Sequence, residues 1–501
     1  MKIEEDVCDL VCSENVNPAA APDAAPGSVV KCSMTRFRLA LLWFIWTIPA
    51  LALAQTPAPI SLPDTPVGRA VGLFVKALNS GSLAELEKFH KDRGGDPGMA
   101  QQDFEFAQQS GGLEFRRVVK ASDFEIDIEA MTRKTARAVI LHFAVDPTPP
   151  HPVSDVGVEA ARGAGPGPGG PDQAPRPPAE VIAGAPSIVD AAIASGFSGV
   201  VLIAKDGKPV LERAGGFANR GLEVKNRIDT KFNLGSINKT FTKLAIAQLL
   251  EAGKLSLDDK LGKFLPDFPN ADAVAKVTVA HLVEMKSGIG DFFGRDFDAA
   301  SKDRIRTLAD YVPFFAKKAL AFEPGTAQAY SNGGYLTLGL IIEKVSGQTY
   351  YDYVRDHIFK PAGMADTDAF ELDAVVSNLA LGYTRRSGAL TSNAYFLPAR
   401  GSSAGGGYST APDLLRYAEA LIANRLASPA YTAWALGGPR PDPKAPVPSG
   451  PVRGGLGVAG GSPGVNAAFE VNAAQRLVIV VLANDDPPSA EDLARRIRLG
   501  R

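Results

Sequence analysis

Two stretches of this chain hold residues whose types and spacing can do chemistry. The first is "FNLGSINKTFTKLAIAQLLEAGKL", Phe232 to Leu255. After five residues it reads as one long helix, apolar on most sides, yet Lys239 stands in its opening turns, three residues after Ser236. Residues three apart on a helix share a face, about 5–6 Å apart at Cβ. Burial disfavours the charged form of an amine, and a neutral amine can take the proton of a serine hydroxyl. The start of the helix adds the positive end of its dipole, which favours negative charge developing near Ser236. The spacing alone is unspecific, since "SVVK", Ser28 to Lys31, repeats it. The second stretch is "EPGTAQAYSNGGYLTLGLIIEKVSG", where Tyr330 and Asn332 end a loop before an apolar helix. A tyrosine and an amide at the mouth of a cleft can shuttle a proton and hold a substrate carbonyl.

Other candidates fall away. "GSSAG", Gly401 to Gly405, matches Gly-x-Ser-x-Gly, but a nucleophile elbow has its histidine later in the chain. The last histidine is His357, so Ser403 is expected to be a loop residue. His90, His142, His281 and His357 are expected to pack rather than react. No His/Cys/Asp cluster has metal-ligand spacing. No phosphate loop or dinucleotide fingerprint occurs, so no cofactor is expected.

These residues need a scaffold, and 501 residues are enough for two or three domains. The composition is globular, 45% hydrophobic and 22% charged, and a net charge of -2 gives no electrostatic case for nucleic acid. "MTRFRLALLWFIWTIPALALAQ" has a basic start, an apolar core and Ala52-Leu53-Ala54 before Gln55, the pattern of a cleaved signal peptide over residues 34–54. The core is shorter than the ~20 residues of a comfortable span. An uncleaved signal acting as a membrane anchor is the alternative. A signal beginning at residue 34 suggests translation from Met34, with residues 1–33 an extension that is not translated. Cys8, Cys12 and Cys32 all lie in that extension, so disulfides are not expected in the mature protein.

Residues 56–158 read as a small α+β domain. "VGRAVGLFVKALNSG" puts Ala70, Phe74, Ala77 and Leu78 on one helical face, and Ser82 with Glu85 forms a capping box for a second helix. Strand-like runs follow, among them the alternating "FEIDIEAM". Two helices followed by a small antiparallel sheet resemble the cystatin-like folds related to nuclear transport factor 2. Residues 159–180 are a Pro/Gly linker. The remainder, 181–501, is read as starting and ending with strands. "FSGVVLIAKDGKPVLERAGGFAN" forms a hairpin turning at Asp206-Gly207, and "AAFEVNAAQRLVIVVLAND" forms another. Paired into one antiparallel sheet flanked by helices, with a helical insertion between them, they define an α/β domain with a cleft where sheet and helices meet.

Taken together and in order, "FNLGSINKTFT", "VTVAHLVEMKSGIGDF", "FEPGTAQAYSNGGYLTLGLIIEKVSG", "AGGGYSTAPDLLRYAEAL" and "GGSPGVNAAFEV" resemble the serine β-lactamase-like superfamily, in the branch of class C β-lactamases, DD-peptidases and related esterases. The resemblance covers about residues 197–484. It implies Ser236 as the acylated nucleophile, Lys239 as its base partner, Tyr330 as a second proton-transfer group and Asn332 as a substrate contact. The family's Lys-Thr-Gly or His-x-Gly element falls on Val458-Ala459-Gly460, a departure, since valine can neither bind a carboxylate nor move a proton. Gly460 and Gly461 remain for close backbone approach, and the N–H groups of Gly461 and Ser236 are the expected oxyanion donors. A second departure places Met285 and Lys286 where relatives carry a different pair near the cleft edge. The expectation is a secreted or periplasmic bacterial serine hydrolase. It forms an acyl-enzyme on a small-molecule ester or amide, with esters favoured because Val458 removes a cation. Arg453 is near enough in sequence to replace that cation, which keeps β-lactamase or D-amino-acid peptidase activity as an alternative. A catalytically impaired binding protein is the other. The oligomeric state is not legible.

Overall fold

The structure is a computed structural model that describes residues 61–93, 97–134, 138–160, 176–387, 389–441 and 454–500. The expected signal, the three cysteines, most of the Pro/Gly linker and Arg453 lie outside the described residues.

The first described elements are helices α1 (Pro66–Ser80), α2 (Leu83–Asp92) and α3 (Pro97–Ser110). Strands β1 (Leu113–Ala121), β2 (Glu125–Thr132), β3 (Ala138–Val145) and β4 (Val153–Ala160) follow, antiparallel in that order. Thr65 caps α1, accepting from the Gly68 amide, with Pro66 at the first helical position, where its missing N–H costs nothing. Gly81 ends the helix at φ +63. Ala70, Phe74, Ala77 and Leu78 are buried as the periodicity requires, with Ile126, Ile128, Leu141 and Phe143 in one core. The sequence reading missed α3, whose "AQQDFEFAQQS" is largely polar, and β4, whose "VSDVGVEA" carries a glycine and two carboxylates.

The remaining elements do not start and end with strands as expected. Helix α4 (Pro178–Ala194) opens them and the last helix closes them. Two prolines and many small residues make α4 look like linker, but Pro178 sits in its first turn, where proline is tolerated. Strand β4 runs to Ala160 and α4 begins at Pro178, so both ends of the expected 159–180 linker belong to regular elements.

Between these helices lies a five-stranded antiparallel sheet. Its strands include β5 (Gly199–Lys205) and β6 (Lys208–Gly215), joined at Asp206 and Gly207, both at positive φ as a tight hairpin turn requires. From the interior of the chain come the short strand β7 (Phe232–Asn233) and helices α5 (Asn238–Glu251) and α6 (Asn332–Ser346). The short strand β8 (Tyr408–Ser409) pairs with β7, and helix α7 (Ala411–Ile422) follows. Then come β9 (Gly455–Ser462), β10 (Val465–Asn472), β11 (Leu477–Ala483) and helix α8 (Ser489–Leu499). The sheet order is β9-β10-β11-β5-β6, so the two terminal hairpins join through β11 and β5.

Both faces of this sheet are covered, which explains the unbroken apolar runs "VVLIA" and "LVIVVLA". Val200, Leu202, Phe469, Val480 and Leu482 face the main core, shared with α5, α6 and α7. The alternate residues Val201, Ile203, Ile479 and Val481 face α4 and α8 through Val181, Val189, Leu493 and Ile497. Helix α5 is buried on nearly every side, through Phe241, Leu244, Ala245, Ile246 and Leu249.

The edge strand β9 presses against the turn that leads into α5. Gly235 is at φ +48, and a Cβ there would lie 2.8 Å from the Gly461 nitrogen; a Cβ on Gly460 would lie 2.0 Å from the Leu234 oxygen. Gly235→Ala should therefore cost roughly 1–3 kcal/mol through strain and overpacking. Urea unfolding should show a lower midpoint at unchanged slope. An unchanged midpoint would mean that β9 can move away from the turn.

Candidate active site

Ser236 lies in one 3-10 turn, Gly235–Ile237, that runs straight into α5. The turn is pinned from both sides. The Asn233 Oδ1 accepts from the Gly235 amide at 2.9 Å, and the Leu234 amide donates to the Gly407 oxygen at 2.7 Å. Lys239 follows in the first turn of α5 and is 7% exposed. Its Nζ lies 3.2 Å from Ser236 Oγ and 2.7 Å from Asn332 Oδ1, and it also donates to the Ala404 oxygen. The Tyr330 hydroxyl is 2.6 Å from Ser236 Oγ, and its ring centroid is 4.7 Å from Lys239 Nζ. Tyr330 is held where it is because the Ala329 amide donates to the Met285 oxygen and Ser331 caps α6, accepting from the Gly334 amide at 2.8 Å. Four of the residues singled out in the sequence thus converge on one point, from α5, from the start of α6 and from the loop before it.

The environment assigns different protonation states to the two ionisable groups. Desolvation lowers the Lys239 amine to about 7, against the charge of Asp291, which holds it up. Desolvation pushes the Tyr330 phenol up to about 12; Asp291 adds to this, and the Ser236 hydrogen bond opposes it. Near neutral pH the tyrosine is a neutral hydroxyl, whereas the lysine readily loses its proton. A neutral amine has two N–H bonds and one lone pair. The Asn332 and Ala404 oxygens take the two protons, so the lone pair is left facing the Ser236 hydroxyl.

Ser236 and Gly461 both line the same cleft of about 360 Å³. Their strands of backbone touch, since a Cβ on Gly460 would be 2.8 Å from the Ser236 nitrogen. The Ser236 amide has no acceptor among the described residues. Asn332 also borders the cleft, but both ends of its amide are engaged: Oδ1 by Lys239, Nδ2 by Asp291 at 2.6 Å. Its geometry makes it a partner of the lysine first.

Several sequence readings are revised. Val458 does not line the cleft; it packs against the main core, while Ala459 and Gly461 border the cavity. Strand alternation is the reason, since neighbouring residues point to opposite faces. Met285 and Lys286 do not line the cleft either: Met285 packs on the main core, and Lys286 pairs with Glu284 at 3.2 Å. Ser403 is fully buried and donates to the Tyr335 oxygen, yet the loop around it supplies the Ala404 carbonyl that fixes Lys239. His90 pairs with Asp103 and His142 with Asp127, His281 closes the capping box of the helix Val279–Val283, and His357 meets Gln348. Asp291 was missed. Its only signal was one carboxylate in the glycine-containing loop "SGIGDF". It accepts from Asn332 through one oxygen and from the Phe293 amide, at 3.0 Å, through the other.

Residues 187–501 match the family described as Beta-lactamase, and the chain belongs to that family. Its members are serine hydrolases. The chain is similar to penicillin-binding protein 4* of Bacillus subtilis (strain 168), 36% identical over 176 residues, 35% of this chain and 38% of that protein. It is similar also to the putative penicillin-binding protein PbpX of the same organism, 32% identical over 235 residues, 46% of this chain and 57% of that one. The chain thus spans roughly two to three fifths of the length of these curated relatives. The structure of a penicillin binding protein from Bacillus halodurans superposes with a TM-score of 0.55 at 32% identity, covering 62% of this chain and 98% of that one. EstCE1, a hydrolase with promiscuous acyltransferase activity, shares the fold with a TM-score of 0.53 at 22% identity, over 64% of this chain and 98% of that one.

The Lys239 amine should titrate near pH 7, some three units below an ordinary lysine. NMR of protein carrying ¹³C-labelled lysine, with the resonance assigned by its loss in Lys239→Met, measures this. Asp291→Asn removes the charge that favours the ammonium and should move the midpoint lower. A midpoint that stays put or rises would show that Asp291 does not act on the lysine.

Proposed function

We propose that this chain is a serine hydrolase that forms an acyl-enzyme on Ser236 and acts on small esters or amides. The observation that supports this best is the Lys239 amine, buried, held near neutrality and aimed at the Ser236 hydroxyl by two carbonyl oxygens. In this reading the Ser236 proton passes to Lys239 Nζ as Oγ bonds to the substrate carbonyl carbon. The amides of Ser236 and Gly461 receive the oxyanion. The leaving group departs with a proton delivered from Lys239 through Tyr330. Water then attacks the acyl-enzyme, again giving its proton to Lys239, which returns it to Ser236 Oγ as the Oγ–acyl bond breaks and the acid is released. Tyr330, held as a neutral phenol, is the proton relay, and the lysine is the base.

Esters are preferred over carboxylate-bearing β-lactams because no lysine or arginine lines the cleft among the described residues. A facing pair of charges ~4 Å apart contributes about 1–4 kcal/mol between aqueous and surface-like dielectrics, and that attraction is missing here. A second reading, β-lactamase or D-amino-acid peptidase activity, draws on the printed names of the penicillin-binding relatives. We propose further that residues 34–54 are a secretion signal removed before Gln55, and that residues 56–158 form a cystatin-like unit. Among the described residues no helix is long and apolar enough to cross a membrane.

Mass spectrometry after fluorophosphonate treatment should find the adduct on Ser236, and Ser236→Ala should abolish hydrolysis of nitrophenyl esters. Lys239→Met should slow it roughly 10²–10⁴-fold. Below pH 7 the protonated lysine cannot accept a proton, so kcat/KM should fall tenfold per unit there and reach a plateau above. Nitrocefin hydrolysis far faster than that of any ester would reverse the stated preference. Absence of both labelling and turnover would leave a binding protein.

N-terminal sequencing of secreted protein should start at Gln55; retention of Met1 or Met34 would reject cleavage.

A further inference from the structure

The cleft beside Ser236 has one wall that no step of the proposed reaction uses. It is a chain of aromatic rings. Phe293 sits at the edge, 51% exposed; Phe292 and Phe297 lie deeper, 6% and 2% exposed; and Tyr311 closes the bottom at 1%. The ring centroids are 4.4 Å apart for Phe292 and Phe293, 5.0 Å for Phe292 and Phe297, and 5.1 Å for Phe292 and Tyr311. The same cavity is lined by Phe396, 37% exposed, and buried Leu397. An exposed apolar group is costly unless it is used, and such residues gathered at one mouth mark a binding site. Rings already packed on one another lose little further freedom when a ligand arrives, so the wall is preorganised.

Charge points the same way. Among the described residues that line the cavity none is a lysine or arginine, so no cation there draws in an anionic substrate. The wall is also fastened to the reacting groups. Asp291 holds the Phe293 amide with one oxygen and Asn332, the partner of Lys239, with the other.

Resting on the acyl-enzyme reading, we propose that the substrates are neutral esters or amides whose acyl part is a bulky apolar group, an aromatic ring or a medium-length alkyl chain, seated between the Phe292–Phe293–Phe297 wall and Phe396. The acyl part fits this place better than the leaving group does. It stays on Ser236 through both half-reactions and must hold its carbonyl in register while water attacks. The leaving group must instead reach solvent before the second step. The reaction balances as ordinary hydrolysis: the ester C–O bond breaks, water supplies the hydroxyl of the acid, and the alcohol takes the proton.

The test compares nitrophenyl acetate, butyrate and octanoate, with octyl acetate placing the chain on the alcohol side. Each added acyl methylene should raise kcat/KM by up to roughly fourfold, the effect of taking one methylene out of water. Phe396→Ala and, separately, Phe293→Ser should lower the octanoate-to-acetate ratio at least tenfold. Calorimetric binding to Ser236→Ala protein gives a readout independent of turnover, and octanoate should bind there more tightly than acetate. A preference for acetate, an unchanged ratio in both aromatic variants, or a chain-length gain confined to octyl acetate would overturn the proposal. If no ester is turned over and Ser236 is not labelled, yet octanoate binds the Ser236→Ala protein in a way that Phe396→Ala weakens, the acyl-enzyme reading falls and the apolar site stands.

Discussion

The amine of Lys239 sits in the start of a helix that is buried on nearly every side, and the surrounding structure is arranged around that fact. An amine taken out of water must either give up its charge or be fully hydrogen-bonded. Here both happen. Three separate stretches meet it: the turn carrying Ser236, the start of α6 carrying Asn332, and the loop whose Ala404 carbonyl reaches in. None of these is local to the lysine except the first. The fold is therefore needed to complete the site, and the burial that makes α5 a core helix is the same burial that tunes its lysine.

Much of this was legible beforehand, for reasons that differ by residue. Ser236 and Lys239 could be paired because helix geometry is a local rule and three positions apart means the same face. Tyr330 and Asn332 needed the resemblance, since nothing in a loop tyrosine predicts which turn it will approach from 94 positions away. Strands such as β2, β5 and β11 were readable from their alternation or their apolar runs, whereas β4, with a glycine and two carboxylates, was not. The helices α4 and α8 were not: one is rich in proline and small residues, the other is polar on most of its surface. What identifies them is that the back of the sheet needs cover, which is a fact about the assembled layer.

Val458 and Asp291 show the limits from opposite sides. Val458 departs from the family pattern, but strand alternation turns its side chain into the core, so it neither walls the cleft nor stands where a cation would face it. Asp291 drew no attention because a single carboxylate among glycines has no signature. Its importance comes from its two oxygens reaching in different directions, to the amide of a side chain forty-one positions later and to the backbone two residues on. Such a bridge exists only once the loop is folded against α6.

That bridge has an evolutionary corollary. Because one carboxylate anchors both the aromatic edge and the partner of the base, the shape of what enters and the readiness of the serine to react are not separately adjustable. A change in the loop that reshapes the edge will also disturb the proton acceptor, and an adjustment of the acceptor will shift the edge. Lineages that take up new substrates from such an ancestor would be expected to alter other parts of the lining first, such as Phe396 and Leu397, which border the same cleft without bonding to Asp291 or to the lysine.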